Sequence, residues 1–179
     1  MAKYKYSKIT ISGRVCTGKT TLFWDLQKEL GWPTFSASYF FRDYAAKNHA
    51  SLEKAEEQGD QLTQIIDYGM KELAEKKSGN IILEGWMAGV MTRNVKHALR
   101  ILLVCDDDVR VKRFSDREKL TIAKSKKMVS DREKNLFNTL EKIYKRRDFV
   151  NPKNFNLVLD TTNSTPRETL QEVLEALKK

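Results

Sequence analysis

The sequence predicts a three-layer α/β fold around a parallel five-stranded sheet. Three observations lead there. Short apolar, β-branched runs recur along the chain with helical patterns between them. The first run leads straight into a glycine-rich turn that opens a helix. No repeat, low-complexity stretch or linker divides the 179 residues, a length that suits one well-cored domain spanning 1–179.

Taken in order, "SKITIS" is the first strand and Lys19 to Leu30 the first helix. "GWPTFSA" breaks that helix and supplies a second strand. Helical patterns follow from Tyr39 to about His49 and from Ser51 to Lys77, the second started by Ser51 because Lys54 fails a strict capping box. "IILE" and "KHALRILLVC" read as buried strands. "DDDVRVKR" puts acids at a helix start, where the macrodipole favours them, and Asp106, Asp107 and Asp108 are expected as caps, with a lesser chance that Asp106 touches metal-bound water. One long basic helical region is expected to run on to Arg147, with Val129, Leu136, Phe137, Leu140, Ile143 and Tyr144 as its packed face. "FNLVLD" is the last strand, and the last helix starts at Pro166 behind a Thr165 cap.

Composition bounds the function. Hydrophobic residues at 40% and charged residues at 32% belong to a globular chain, and no apolar run approaches a membrane span. The basic start carries no signal-peptide pattern, and Cys16 and Cys105 fit no metal spacing or disulfide framework, so a cytoplasmic protein without a membrane partner is expected. The net charge of +9 sits wholly in residues 110 to 147, which hold 14 Lys+Arg against 5 Asp+Glu. The partner of that segment should be strongly anionic: clustered phosphates on a small molecule, or a nucleic acid backbone.

"ISGRVCTGKTTLFWDL" narrows this. Gly13-Arg14-Val15-Cys16-Thr17-Gly18-Lys19-Thr20 follows a strand and opens a helix, the context in which such a loop holds phosphate. Successive backbone N–H groups and the helix N-terminus converge on one anion, and glycine tolerates the backbone angles this needs. Lys19 can reach β- and γ-phosphates and the Thr20 hydroxyl can ligate Mg²⁺, so a nucleoside triphosphate is the expected ligand. Phosphoryl transfer has a loose transition state, so a kinase mainly places charge and excludes water. Arg110, Arg113 and Arg117 recur at spacings of three and four on one helix face and suit a flap over the triphosphate; a solvated face paired with Asp116, Glu118 and Asp131 is the alternative. Cys16 is expected to act through its backbone, although a helix N-terminus lowers a thiol pKa.

At this point the chain resembles the P-loop nucleoside monophosphate kinases, most closely the archaeal-type cytidylate kinases. The resemblance runs nearly full length, through "ITISGRVCTGKTTL", "FSASYFFRDYA", "IILEGWMAG", "DDDVRVKRFSDRE", "DREKNLFNTLEKIY" and "FNLVLDTTNSTPRE". It implies a P-loop NTPase fold with strand order 2-3-1-4-5, an acceptor-binding insertion at about 38–77 and a basic lid at about 110–147. It also implies ATP and Mg²⁺, with CMP or dCMP as the favoured acceptor. Residue by residue, it implies that the loop from Gly13 to Thr21 holds ATP and that Asn163 and Ser164 pass the adenine. Ser36, Arg42, Gly85 and Arg132 meet the acceptor, Glu84 stands near the magnesium shell with Thr20, and Lys19, Arg113, Arg117 and Arg132 serve transfer.

The sequence also departs from that pattern. Trp86 and Thr139 stand where the family has arginines, and Ser38 and Tyr39 replace a Gly-Glu pair. Each lost arginine removes a charge-assisted contact of roughly 1.5–3 kcal/mol if buried. Trp86 is read as packing ahead of base stacking. Any of Tyr44, Asp60, Gln61 and Asp67 could read a base, while His49 and His97 read as surface residues. A small nucleotide substrate and a monomer are therefore expected, with nucleic acid not favoured as a partner. The alternatives are a P-loop kinase for another nucleotide, a metabolite or a nucleic acid 5′-end, or an ATP-binding regulatory protein. No Asn-Lys-x-Asp block supports a guanine-nucleotide switch.

Overall fold

The computed structural model describes residues 4–49, 60–76 and 78–178. Its parallel sheet comprises β1 (Lys8–Gly13), β2 (Thr34–Ser36), β3 (Ile81–Glu84), β4 (Ala98–Val104) and β5 (Leu157–Asp160). The strand order is β2-β3-β1-β4-β5, the one that the resemblance implies. β1 lies between β3 and β4, with Ile9 opposite both Ile82 and Leu99. Enclosure on both edges and both faces explains its unbroken burial, which reaches even Lys8 and Thr10.

Alternate side chains leave each strand on opposite faces, so one sheet serves two cores. On one face α1 (Lys19–Leu30) and α7 (Pro166–Lys178) bring Phe23, Leu26, Val173 and Leu177 against Ile9, Ile11, Ile101 and Leu159. On the other, α3 (Asp60–Lys76) lays Ile66, Met70 and Ala74 on Ile81 and Leu83. These are the three layers. No helix among the described residues is long and apolar enough to cross a membrane.

Local chemistry sets the helix ends. α2 (Ala37–Lys47) starts two residues earlier than expected, because the Ser36 hydroxyl accepts from the Tyr39 amide at 3.0 Å and caps it. A short α4 (Ala88–Met91) follows β3. The expected single basic helix is two: α5 (Asp107–Glu118) and α6 (Ile122–Tyr144). Lys119 turns left-handed at φ 54°, the Ser115 hydroxyl donates to the Leu120 carbonyl at 2.6 Å, and Thr121 caps the new helix. Lys145, at φ 53°, ends α6 before Arg147. Asp106 occupies the N-cap position of α5 without a side-chain capping bond, whereas Asp107 is drawn into ion pairs with Arg110 and Arg14. Thr165 and Glu168 form a reciprocal capping box at α7, with the Thr165 amide 2.8 Å from the carboxylate. The proposed start at Ser51 lies outside the described residues.

Candidate active site

The C-terminal ends of the strands open onto a cleft of ≈ 380 Å³, within the range of small-molecule sites. Its floor is the glycine loop between β1 and α1. Gly13 is required by close approach: it sits at φ 152°, and a Cβ there would lie 2.6 Å from the Leu103 carbonyl oxygen. Gly18, at φ 92°, turns the chain into α1, whose first turn carries no acid to offset the helix dipole. Cys16 holds a left-handed φ of 59° without being glycine.

The residues expected to hold the triphosphate divide into two groups. Val15, Cys16, Gly18, Lys19, Thr20 and Thr21 line the cleft. Gly13, Arg14 and Thr17 instead build the loop. The Thr17 hydroxyl donates to the Arg14 carbonyl at 3.0 Å, and Thr161 on the far side donates to the Thr17 carbonyl at 3.0 Å. The Lys19 ammonium folds over the loop to the Arg14 carbonyl at 2.9 Å and lies 5.4 Å from the Trp86 ring centroid. Burial pushes its pKa below the usual lysine range, Glu84 opposes that shift and Arg132 adds to it.

The basic residues converge. Arg42 on α2, Arg113 and Arg117 on α5 and Arg132 on α6 all line the same cleft as Lys19. Burial depresses the Arg42 guanidinium, and the nearby charges of Arg117 and Arg132 depress it further. Such crowding of like charge is costly unless an anion answers it. Arg117 also pairs with Glu118 at 2.7 Å and stands over the Phe114 ring. Arg113 is held toward the β5 end of the cleft, donating to the Thr161 carbonyl at 2.6 Å. Ser164 lines that end and donates to the Asp160 carbonyl at 3.0 Å, whereas Asn163 does not line the cleft.

Several expectations need correcting. Arg110 does not share the flap face: it is 2% exposed beneath the glycine loop, donating to the Val15 carbonyl at 2.9 Å and to Glu133 at 2.7 Å. Burial disfavours its charge, but the carboxylates of Asp107 and Glu133 more than offset that and raise its pKa. The Arg14 side chain likewise turns away to Glu133, with its Nε 2.9 Å from that carboxylate. Ser36 has its hydroxyl committed to Glu84 at 2.5 Å, while Ser38 takes the place on the cleft wall and also donates to Glu84, at 2.9 Å. Glu84 is fully buried behind that wall, on the charge side of Lys19 and Arg42.

Among the described residues, no group of three or more His, Cys, Asp or Glu is placed to hold a metal. Magnesium brought in with a triphosphate keeps most of its waters and takes few protein ligands. Thr20 lines the cleft floor, and Glu84 stands behind Ser38 with both carboxylate oxygens engaged by Ser36 and Ser38.

Glu133 is the main residue that spacing alone did not single out. It lies four residues after Val129 and three before Leu136, so helical period puts it on the packed face of α6, where it is 3% exposed. A carboxylate on an apolar helix face implies a distant cation, and here there are two. Asp67, one of several possible base readers, is 5% exposed and accepts from the Tyr144 hydroxyl at 2.8 Å. Asp60 is instead paired with Lys142 at 2.7 Å. Trp86 packs edge-on against Phe137, with ring centroids 5.5 Å apart, and lines the cleft as well. His49 and His97 are exposed.

The family model for the cytidylate kinase-like family matches residues 8–163. The chain belongs to the cytidylate kinase-like family. It is 32% identical to the cytidylate kinase of Methanobrevibacter smithii over 95% of this chain and 98% of that one. The match to the cytidylate kinase of Archaeoglobus fulgidus is 34% over 62% of each chain. A gluconokinase from Sinorhizobium meliloti superposes with a TM-score of 0.64 at 12% identity, covering 98% of this chain and 93% of that one. Shikimate kinase from Aquifex aeolicus gives 0.57 at 18%, covering 95% of both. Those two likenesses concern the P-loop kinase fold alone. As a member of the family, this protein is a phosphotransferase. Of the two positions where the resemblance expects arginines, Trp86 lines the cleft and Thr139 does not.

Proposed function

We propose that this protein transfers the γ-phosphoryl group of ATP to a nucleoside monophosphate in the cytoplasm, with CMP or dCMP preferred. The observation that carries this reading is the convergence of Lys19, Arg42, Arg117 and Arg132 on one cleft above a glycine loop. Four cations around a helix N-terminus suit two phosphate chains, not one. The names of the archaeal relatives supply the pyrimidine preference.

In this reading the amides from Val15 to Thr21 and the Lys19 ammonium hold the β- and γ-phosphates. Arg113 and Ser164 border the nucleoside end of ATP. Arg42 and Arg132 hold the acceptor phosphate, and Arg117 closes from α5, which with α6 forms the lid. Thr20 would ligate magnesium brought in with ATP and Glu84, from behind Ser38, would orient its waters; the ion would supply charge neutralisation to the triphosphate. Held in line and shielded from water, the acceptor oxygen attacks phosphorus as the β–γ bridging bond breaks, giving ADP and a nucleoside diphosphate.

Trp86 in an arginine position keeps a second reading open to test, a kinase for another acceptor. A coupled ADP-release assay with CMP, dCMP, UMP, AMP, GMP, dTMP and a 5′-OH oligonucleotide separates the two. Turnover led by CMP or dCMP is expected. Turnover with the oligonucleotide alone, or none above the acceptor-free rate, would overturn the proposal.

A further inference from the structure

A second, smaller cavity of ≈ 30 Å³ adjoins the cleft, sharing Ser38 and Trp86 with it and continuing past them to Phe41, Thr63, Asp67 and Leu136. Its walls are apolar except for a few groups on α2 and α3, and its one acid is Asp67. Nothing in phosphate handling calls for a carboxylate there, where it would repel the acceptor's charge. Asp67 is 5% exposed, and its only described hydrogen bond comes from the Tyr144 hydroxyl to Oδ2 at 2.8 Å.

We propose that Asp67, oriented by Tyr144, reads the acceptor base and selects a pyrimidine carrying a 4-amino group over one carrying a 4-oxo group. This rests on the nucleotide-kinase reading above and adds the residue that sets its specificity. The acceptor phosphate belongs to Arg42 and Arg132 in the large cleft, and the base then points across Trp86 into the small cavity. With Oδ2 engaged by Tyr144, Oδ1 is the acceptor left for a ligand. An exocyclic amine donates to it; uracil or thymine would set a carbonyl oxygen against it, acceptor facing acceptor. Burial raises the free Asp67 pKa to about 7, and an amine donor would favour the ionised form again. As it stands the cavity holds no more than a little water. A ring would have to displace Trp86, whose side chain is the shared wall.

The test is a specificity exchange. Asp67→Asn keeps the Tyr144 bond on its carbonyl oxygen and turns an amide donor toward the ligand. Its kcat/KM for CMP should fall by about tenfold or more while UMP falls less or improves, and the ATP KM should stay within about twofold. An unchanged CMP-to-UMP ratio in a folded variant overturns the proposal. Tyr144→Phe keeps the test alive if Asp67→Asn fails to fold. It should raise the CMP KM severalfold without moving that of ATP, and an unmoved CMP KM counts against the assignment. Calorimetric titration of CMP and UMP without ATP separates the two layers. CMP binding that depends on Asp67, without turnover, keeps base reading and removes the kinase reading. CMP turnover with discrimination indifferent to Asp67 does the reverse, and no pyrimidine-nucleotide binding at all removes both.

Discussion

The Glu133 carboxylate accepts from the Arg110 guanidinium at 2.7 Å, with both side chains almost entirely out of water. The same carboxylate takes the Val15 amide at 3.0 Å and the Arg14 guanidinium. One residue of α6 thereby fastens the glycine loop to α5 and α6, and its chain neighbour Arg132 faces the cleft.

Removing that charge leaves buried Arg110 with exposed Asp107 as its remaining carboxylate partner. Glu133→Gln should destabilise the protein by about 3–5 kcal/mol, the cost typical of breaking a buried pair from one side. Adding Arg110→Met should recover a good part of the loss, because the buried cation is then gone and half-exposed Arg14 keeps Asp107 at 3.4 Å. Urea unfolding of the two single variants and the double variant gives the cycle. Simple additivity would mean that Arg110 and Glu133 do not act as a pair.

Arg42 and Lys19 should separate in kinetics. Arg42 stands on α2 and lines the cleft. Arg42→Ala is expected to raise the acceptor KM about tenfold and the ATP KM by less than about twofold, the loss of one charge-assisted contact. Steady-state kinetics with each substrate varied in turn checks this. Equal rises in both would argue against an acceptor role.

Much of this was legible in the sequence, and the remainder was hidden for physical reasons. The strands, α1, the glycine loop and the Thr165 cap announce themselves because period, glycine and capping chemistry act over a few residues. The break at Lys119 was not visible, since a lysine at a left-handed position carries no such signature. Arg110 looked like a member of the Arg113–Arg117 face. Its fate is decided by Glu133, 23 residues away, and by the Val15 carbonyl, 95 residues away. Asp67 could not be chosen over Asp60 until Tyr144 and Lys142 came into view on α6. Where a charge depends on a partner from another layer of the fold, spacing along the chain is silent.

Asp67 also links pH to stability. Its folded-state pKa is raised from 3.8 to about 7, because burial penalises the carboxylate more than the Tyr144 bond supports it. The protonated form is the one the fold prefers. Its stabilisation is full below about pH 4 and is lost as pH rises through about 7. Compared with Asp67→Asn, wild type should lose on the order of 3 kcal/mol between pH 4 and pH 8. Denaturant unfolding of both proteins across that range measures it. Parallel profiles would show that Asp67 titrates near its ordinary value.

The proposed reaction of this cleft moves a phosphoryl group from ATP to a nucleoside monophosphate. The most direct measurement follows ATP, ADP, CMP and CDP together by phosphorus NMR in the presence of Mg²⁺, for wild type and Lys19→Ala. CDP and ADP should appear one for one in wild type. In Lys19→Ala, whose ammonium no longer reaches the transferring group, the rate should fall by about a hundredfold or more. ADP without CDP, or a Lys19→Ala rate equal to wild type, would contradict it.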